Sequence, residues 1–126
     1  MSGTKRLSRL ELKIMDALWG LGAASVREVQ ESLPEKGRPA YNTVQTILTR
    51  LEAKAAVRRA KKISNAVIYE PVITRAATQR VLVDELLGFF GGRAVPLLSH
   101  LIESGQLTLE DVEEARKALK KGRPRE

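Results

Sequence analysis

Apolar residues recur at helical spacing three times along this chain before the period changes. Leu10, Ile14, Ala17, Leu18 and Leu21 lie three or four residues apart, with Met15 and Trp19 widening the stripe, and predict a first amphipathic helix. Ser8 and Glu11 stand as S-x-x-E, a capping box in which the hydroxyl satisfies a first-turn amide and the carboxylate reaches back to the cap. Gly20 and Gly22 are expected to end this helix, and Trp19 is read as part of the core. Ser25 and Glu28 repeat the box, and Val26, Val29 and Leu33 predict a second, shorter helix that stops before Pro34. Glu35 to Pro39 is a turn-rich connector, because neither proline can continue a helix.

The third stripe has the most unusual reverse side. At about 100° per residue, Val44, Ile47, Leu48 and Leu51 share one face, while Asn42, Gln45, Thr46, Thr49 and Arg50 fan across the other. A solvated face in a chain this charged would carry mostly Lys and Glu. Short hydroxyls, amides and one Arg suit close approach to base edges and phosphates in a major groove. Asn42 is the expected N-cap, with Gln45 at N3. This start would set polar side chains at an electropositive helix end that favours a phosphate.

After Lys54 the period becomes two. Val57 to Ile63 and Ala66 to Pro71 predict strands around the turn Ser64-Asn65, with Arg58, Arg59, Lys61 and Lys62 crowding the first strand. Such charges could merely protect an edge strand; beside a reading helix, phosphate contact is the preferred role. Helix, helix, helix, hairpin is the order of a winged helix-turn-helix.

From Thr74 onward the chain is helical and more apolar. Val81, Leu82, Val83, Leu86, Leu87, Phe89 and Phe90 are too many for one isolated helix to bury before Gly91-Gly92 ends it. Pro96 falls in the first turn of the next helix, which carries Val95, Leu97, Leu98, Leu101 and Ile102 as far as Gly105. Thr108 to Asp111 opens a last helix with acids in its first turn and Lys117, Lys120 and Lys121 at its far end, as the helix dipole favours. Three such helices lack partners within one chain, and a second copy is expected to supply them. The interface is expected on Val83, Leu86, Leu87, Phe90, Leu98, Leu101, Ile102, Val112 and Leu119.

Charge supports this division. Residues 1–75 hold 14 Lys/Arg against 7 Asp/Glu, whereas residues 76–126 hold 8 against 8, so the whole net charge of +7 lies on the half with the reading helix. Residues 1–74 are therefore expected to form a DNA-binding domain and 75–126 a helical dimerisation region. The fold class is mainly α with a small β-hairpin wing.

No cysteine is present, which removes disulfides, thiol catalysis and cysteine-ligated metals. A single histidine, His100, is too few for a zinc site, and Ser99-His100 has no orienting acid nearby, so neither an enzyme nor a cofactor is expected. The start Met-Ser-Gly-Thr-Lys-Arg lacks an apolar signal core, and no run of about 18 apolar residues occurs, so a cytoplasmic location is expected.

L-S-R-L-E-L-K-I-M-D-A-L-W from Leu7 to Trp19, Y-N-T-V-Q-T-I-L-T-R-L from Tyr41 to Leu51, Tyr69-Glu70-Pro71 and L-T-L-E-D-V-E-E from Leu107 to Glu114 resemble the BlaI/MecI family of penicillinase repressors, which regulate β-lactam resistance genes. The resemblance runs from Leu7 to Lys121. It implies a winged helix, a helical dimerisation region and repression by a homodimer on a palindromic operator in double-stranded DNA. By position, the recognition helix falls on Asn42, Thr43, Gln45, Thr46 and Arg50. With Tyr41, Thr49 and the four basic residues of the first strand, these make the expected DNA contacts.

Best-known members are induced by a regulatory protease at an Asn-Phe bond, which aligns with His100-Leu101. The different side chains there put cleavage by the same specificity outside expectation. Copper-responsive relatives use a cysteine-rich tail, which this chain lacks. The usual Lys-Gly after the recognition helix is Lys54-Ala55, so that helix is expected to stop less sharply. The alternative function is a winged helix that docks on protein within a larger assembly. Salt separates the two, since counterion release makes DNA binding steeply salt-dependent.

Overall fold

The computed structural model describes residues 6–122. The start of the chain before Arg6 lies outside the described residues. Three helices come first: α1 (Arg9–Leu21), α2 (Val26–Ser32) and α3 (Tyr41–Ala53). A hairpin of β1 (Val57–Ile63) and β2 (Ala66–Pro71) follows, and then α4 (Arg75–Gly88), α5 (Ala94–Glu103) and α6 (Leu109–Lys120). The order is that of a winged helix followed by three further helices. No helix among the described residues is long and apolar enough to cross a membrane.

Both capping boxes form: Ser8 Oγ accepts from the Glu11 amide at 3.1 Å, and Ser25 Oγ from the Glu28 amide at 3.2 Å. Helix α1 continues through Gly20 and ends at Gly22, whose amide donates to the Leu18 carbonyl at 2.8 Å. Gly20 is thus no terminator; with φ positive at Gly22 alone of the two, the left-handed cap falls there. Ile14, Met15 and Leu18 of α1, Val29 of α2, and Val44, Leu48 and Leu51 of α3 are fully buried and meet Val57 and Tyr69 at the base of the hairpin. Each fully buried aliphatic contributes about 1.5–3 kcal/mol, so the stripes seen in the sequence hold this unit together. Trp19 is half-buried against the same core, and its indole Nε1 donates to the Ile73 carbonyl at 3.0 Å.

Two helix starts and stops differ from expectation. The N-cap of α3 is Ala40, not Asn42, and no side chain caps it. Gln30 donates to the Pro39 carbonyl at 3.1 Å, and the Arg27 guanidinium sits 5.6 Å from the Tyr41 ring centroid. These tertiary contacts set the entry, overriding a cap preference of about 1 kcal/mol.

At the other end α3 stops sharply. Ala55 takes φ 63°, and the Ala56 and Ala55 amides donate to Leu51 and Glu52 carbonyls at 2.9 and 3.0 Å, a complete Schellman motif. The alanine adopts the left-handed conformation a glycine would take freely, because Ala56 and Val57 must turn into the core. Relief of about 1–2 kcal/mol of strain outweighs the added unfolded-chain freedom of about 0.4–1 kcal/mol. Ala55→Gly should therefore raise the urea midpoint, by about 0.5–1 kcal/mol of stability. A lower midpoint would show that the cap is not strained.

The hairpin is antiparallel, with Val57 opposite Pro71 and Ile63 opposite Ala66, and a bulge between Arg59 and Lys61. A third, one-residue strand escapes the sequence reading: Ala24 and Tyr69 exchange both backbone hydrogen bonds, at 2.9 and 2.8 Å. A single residue has no period to detect.

The chain divides into two compact units, one ending at Val81 and the other starting at Leu82. Within the first, Arg75 bonds Asp16 at 3.1 Å and stacks 5.4 Å from the Trp19 centroid, which ties the first turn of α4 to α1. Helix α4 ends at Gly88, so Phe89 and Phe90 lie beyond it in the turn rather than on its last face. The Gly92 amide closes that turn onto the Leu87 carbonyl at 2.8 Å. Pro96 occupies the first turn of α5, and Thr108 caps α6 through a capping box with Asp111.

Candidate nucleic-acid interface

The buried stripe of α3 fixes which side chains point outward. Val44, Ile47, Leu48 and Leu51 are in the core, and Tyr41, Asn42, Thr43, Gln45, Thr46, Thr49 and Arg50 are all exposed. The structure thus brings the seven expected helix residues onto one accessible face. They are not equivalent. Thr49 Oγ1 donates to the Gln45 carbonyl at 3.0 Å, so its hydroxyl is left to accept; the Gln45 amide and the Arg50 guanidinium supply the longer-reaching donors. Among the described residues Arg50 makes no ion pair.

Tyr41, Gln45 and Thr49, one turn apart, form one wall of an open groove of about 520 Å³ whose other wall is the hairpin from Ser64 to Tyr69, with Arg59. Gln45, Thr46, Thr49 and Arg50 line a shallower surface on the far side of the helix. The polar face therefore continues on both flanks of α3.

The four basic residues of β1 separate into two kinds. Arg58 pairs with Glu70 across the hairpin, and Arg59 bonds Glu52 at 3.2 Å while lying 6.0 Å from the Tyr69 ring centroid. Lys61 and Lys62, beyond the bulge and close to the tip, are exposed and make no ion pair among the described residues. An ammonium with no internal partner is the cheaper one to bring to a phosphate. The two arginines must exchange an existing carboxylate first.

Arg27, Ser25 and Asn65 also line the groove and were not among the contacts expected from the sequence, which assigned Ser25 to a cap and Asn65 to a turn. A signal for Arg27 was present: it lies in the first turn of α2, where a cation opposes the helix dipole. Its packing over Tyr41 is a reason for that placement.

The end of α3 also carries an ion pair with one buried member. Lys54 Nζ is 2.7 Å from Glu11 Oε1, which also accepts from the Ser8 amide at 2.8 Å, and Glu11 is 1 % exposed. Burial opposes the charge, but the hydrogen bonds from Lys54 and Ser8 and the Lys54 charge outweigh it and hold the Glu11 carboxyl below its ordinary value of 4.5. This pair joins the start of α1 to the end of α3.

The residues expected at a subunit interface belong to the second unit. Val83, Leu86, Leu98, Ile102, Val112 and Leu119 are exposed, and Leu87, Phe90 and Leu101 are half-buried. His100 is exposed in α5, its ring 5.5 Å from that of Phe90, so the His100-Leu101 bond sits in regular helix. Among the described residues no group of His, Asp or Glu could hold a metal ion.

Comparison with known proteins agrees with this geometry. The family model described as penicillinase repressor matches residues 7–121. The penicillinase repressor of Bacillus licheniformis is 26% identical over 115 residues, covering 90% of this chain and 89% of that protein. The solution structure of the DNA binding domain of the repressor BlaI superimposes with a TM-score of 0.52 at 28% identity, covering 60% of this chain and 92% of that one. A mutant MarR from E. coli complexed with operator DNA shares the fold, with a TM-score of 0.54 over 94% of this chain and 76% of its own at 18% identity. With a family model matching nearly its whole length, and with a winged helix whose outward face is polar and whose hairpin is basic, the chain belongs to the penicillinase repressor family.

Proposed function

We propose that the protein is a homodimeric transcriptional repressor that reads a palindromic operator through α3 and steadies itself on the DNA backbone through the hairpin. The observation that carries this reading is the seven-residue face of α3, exposed at every position and set beside a hairpin whose first strand carries four basic residues. The face has the donor and acceptor types that distinguish base pairs in a major groove, and its width suits one helix. The uncapped start of α3 leaves first-turn amides free of any side-chain cap and available to a phosphate. Lys61 and Lys62 reach the backbone beside it. Relatives named as repressors support the same reading.

The apolar residues left exposed on α4, α5 and α6 call for a partner, and a second copy would align two reading faces with two half-sites. We place the dimerisation region in residues 75–126 on that ground. Release by the penicillinase-type protease does not fit, since His100-Leu101 offers neither the carboxamide nor the flat ring, and a helical bond must unwind before it is cut.

Base contacts and phosphate contacts should separate by mutation. Gln45→Ala or Thr46→Ala should cost about 1–3 kcal/mol on operator DNA and little on random duplex. Lys61→Ala or Lys62→Ala should weaken both duplexes alike and reduce the slope of log affinity against log salt by about one unit. Fluorescence anisotropy across a salt series measures both. Equal losses for the two kinds of variant would contradict the division of roles, and salt-independent binding would favour a protein-docking module.

A further inference from the structure

Trp19 holds the junction between the hairpin and α4 with two parts of one side chain. Its indole Nε1 donates to the Ile73 carbonyl at 3.0 Å, and its ring face takes the Arg75 guanidinium 5.4 Å from the centroid. The same guanidinium bonds Asp16 Oδ1 at 3.1 Å, and Asp16, three residues before Trp19, is its neighbour on the surface of α1. Thr74, between the two held residues, caps the start of α4 by accepting from the Ala77 amide at 3.0 Å. Stability is a poor reason for this arrangement. Arg75 and Asp16 are 47% and 72% exposed, and ion pairs so open to water add little to folding. Direction is a better reason: no residue of α4 is buried, so the contacts at its root do most to set the course on which the helix leaves the winged helix.

We propose that Asp16, Trp19 and Arg75 are positioning residues that select the spacing between the two operator half-sites. This deepens the homodimer reading and rests on it. On that reading each α4 is the lever between a winged helix and the join of the two copies. A helix of 14 residues is about 21 Å long, and a tilt of about 10° at one end moves the other by about 3.6 Å. One base pair occupies about 3.4 Å of duplex. A small loosening at the root of α4 is therefore enough to shift the register between two heads by a base pair, with no change in the α3 face. The bases that are read stay the same; the distance between them does not.

Binding-site selection with the full chain, from a pool of duplexes carrying a randomised central stretch, tests this. The native protein should return half-sites at a single spacing. Arg75→Ala and Asp16→Ala should return the same half-site sequence spread over several neighbouring spacings, with unchanged affinity for a duplex bearing one half-site. Emission from Trp19, the single tryptophan of the chain, should change in Arg75→Ala as the guanidinium leaves its ring. The native spacing alone from both variants, or unchanged Trp19 emission, would overturn the proposal and leave the homodimer standing. Arg75→Ala that weakens single half-site binding and flattens its salt dependence, without broadening the spacing, would make Arg75 a phosphate contact and overturn it too. Unpaired half-sites from the native protein, with a monomer on sedimentation, would refute the homodimer itself and the spacing role with it.

Discussion

Leu98→Asp combined with Ile102→Asp should convert the proposed homodimer to a monomer at micromolar concentration and lower its affinity for a full operator by about 10²- to 10⁴-fold. Leu98 and Ile102 are one helical turn apart on α5, at 44% and 55% exposure, so the substitutions open no cavity in the chain that bears them. In a dimer the same two positions would be desolvated twice over by symmetry, and four carboxylates cannot be buried there without partners. The loss on DNA follows from geometry: two linked reading heads gain about 10²- to 10⁴-fold from effective concentration, and separate heads forfeit it. Affinity for a single half-site should hardly change. Sedimentation and anisotropy on full and half operators check both statements, and an unchanged dimer would move the interface off α5.

Lys54→Met removes the partner of a carboxylate that remains buried, which costs about 2–4 kcal/mol at neutral pH, near the lower end for broken buried pairs because Lys54 is itself 25% exposed. The pH dependence identifies the cause. In the native protein the folded-state pKa of Glu11 is depressed, so its contribution is complete above the unfolded value near 4.5 and is lost as pH falls through the lower folded value. In the variant the carboxylate has lost the Lys54 hydrogen bond and charge and keeps only the Ser8 hydrogen bonds against its burial, so protonation costs it less than in the native protein. The gap between the two proteins in urea midpoint should therefore be widest at neutral pH and narrow as pH falls below about 4.5, at a fixed protein concentration. A gap independent of pH would assign the loss to packing of the lysine stem.

The first two helices were legible because each stripe has a single period and each start a capping box, as with Ser8 to Leu18 and Ser25 to Leu33. The hairpin was legible to the residue for a similar reason: two short strands flank a polar pair. Features set by tertiary contact were not. Asn42 has the better cap chemistry, yet Arg27 on Tyr41 and Gln30 on the Pro39 carbonyl start α3 from Ala40. Glu11 looked like a capping acid and is also half of a buried ion pair whose other member lies 43 residues away. Ala55 was read as a weak stop because local preference disfavours it, while burial of Ala56 and Val57 enforces the left-handed turn.

The polar face of α3 and its surroundings show the same contrast. Asn42, Gln45, Thr46, Thr49 and Arg50 follow from periodicity, since burying one stripe exposes its complement, whereas Thr43 entered through the family resemblance. The inequality among the four basic residues of β1 does not, because it depends on Glu52 and Glu70 reaching two of them. Arg27 joins the groove only through the packing of α2 against α3.

Footprinting on DNA upstream of the repressor's own gene tests the central claim most directly. The account predicts a protected segment whose sequence is two-fold symmetric, with half-sites about one helical turn apart or a multiple of it, that disappears with Gln45→Ala or Thr46→Ala at concentrations where Lys13→Ala has no effect. Protection that never rises above uniform coating of the fragment, or that persists unchanged when the α3 face is altered, would contradict it.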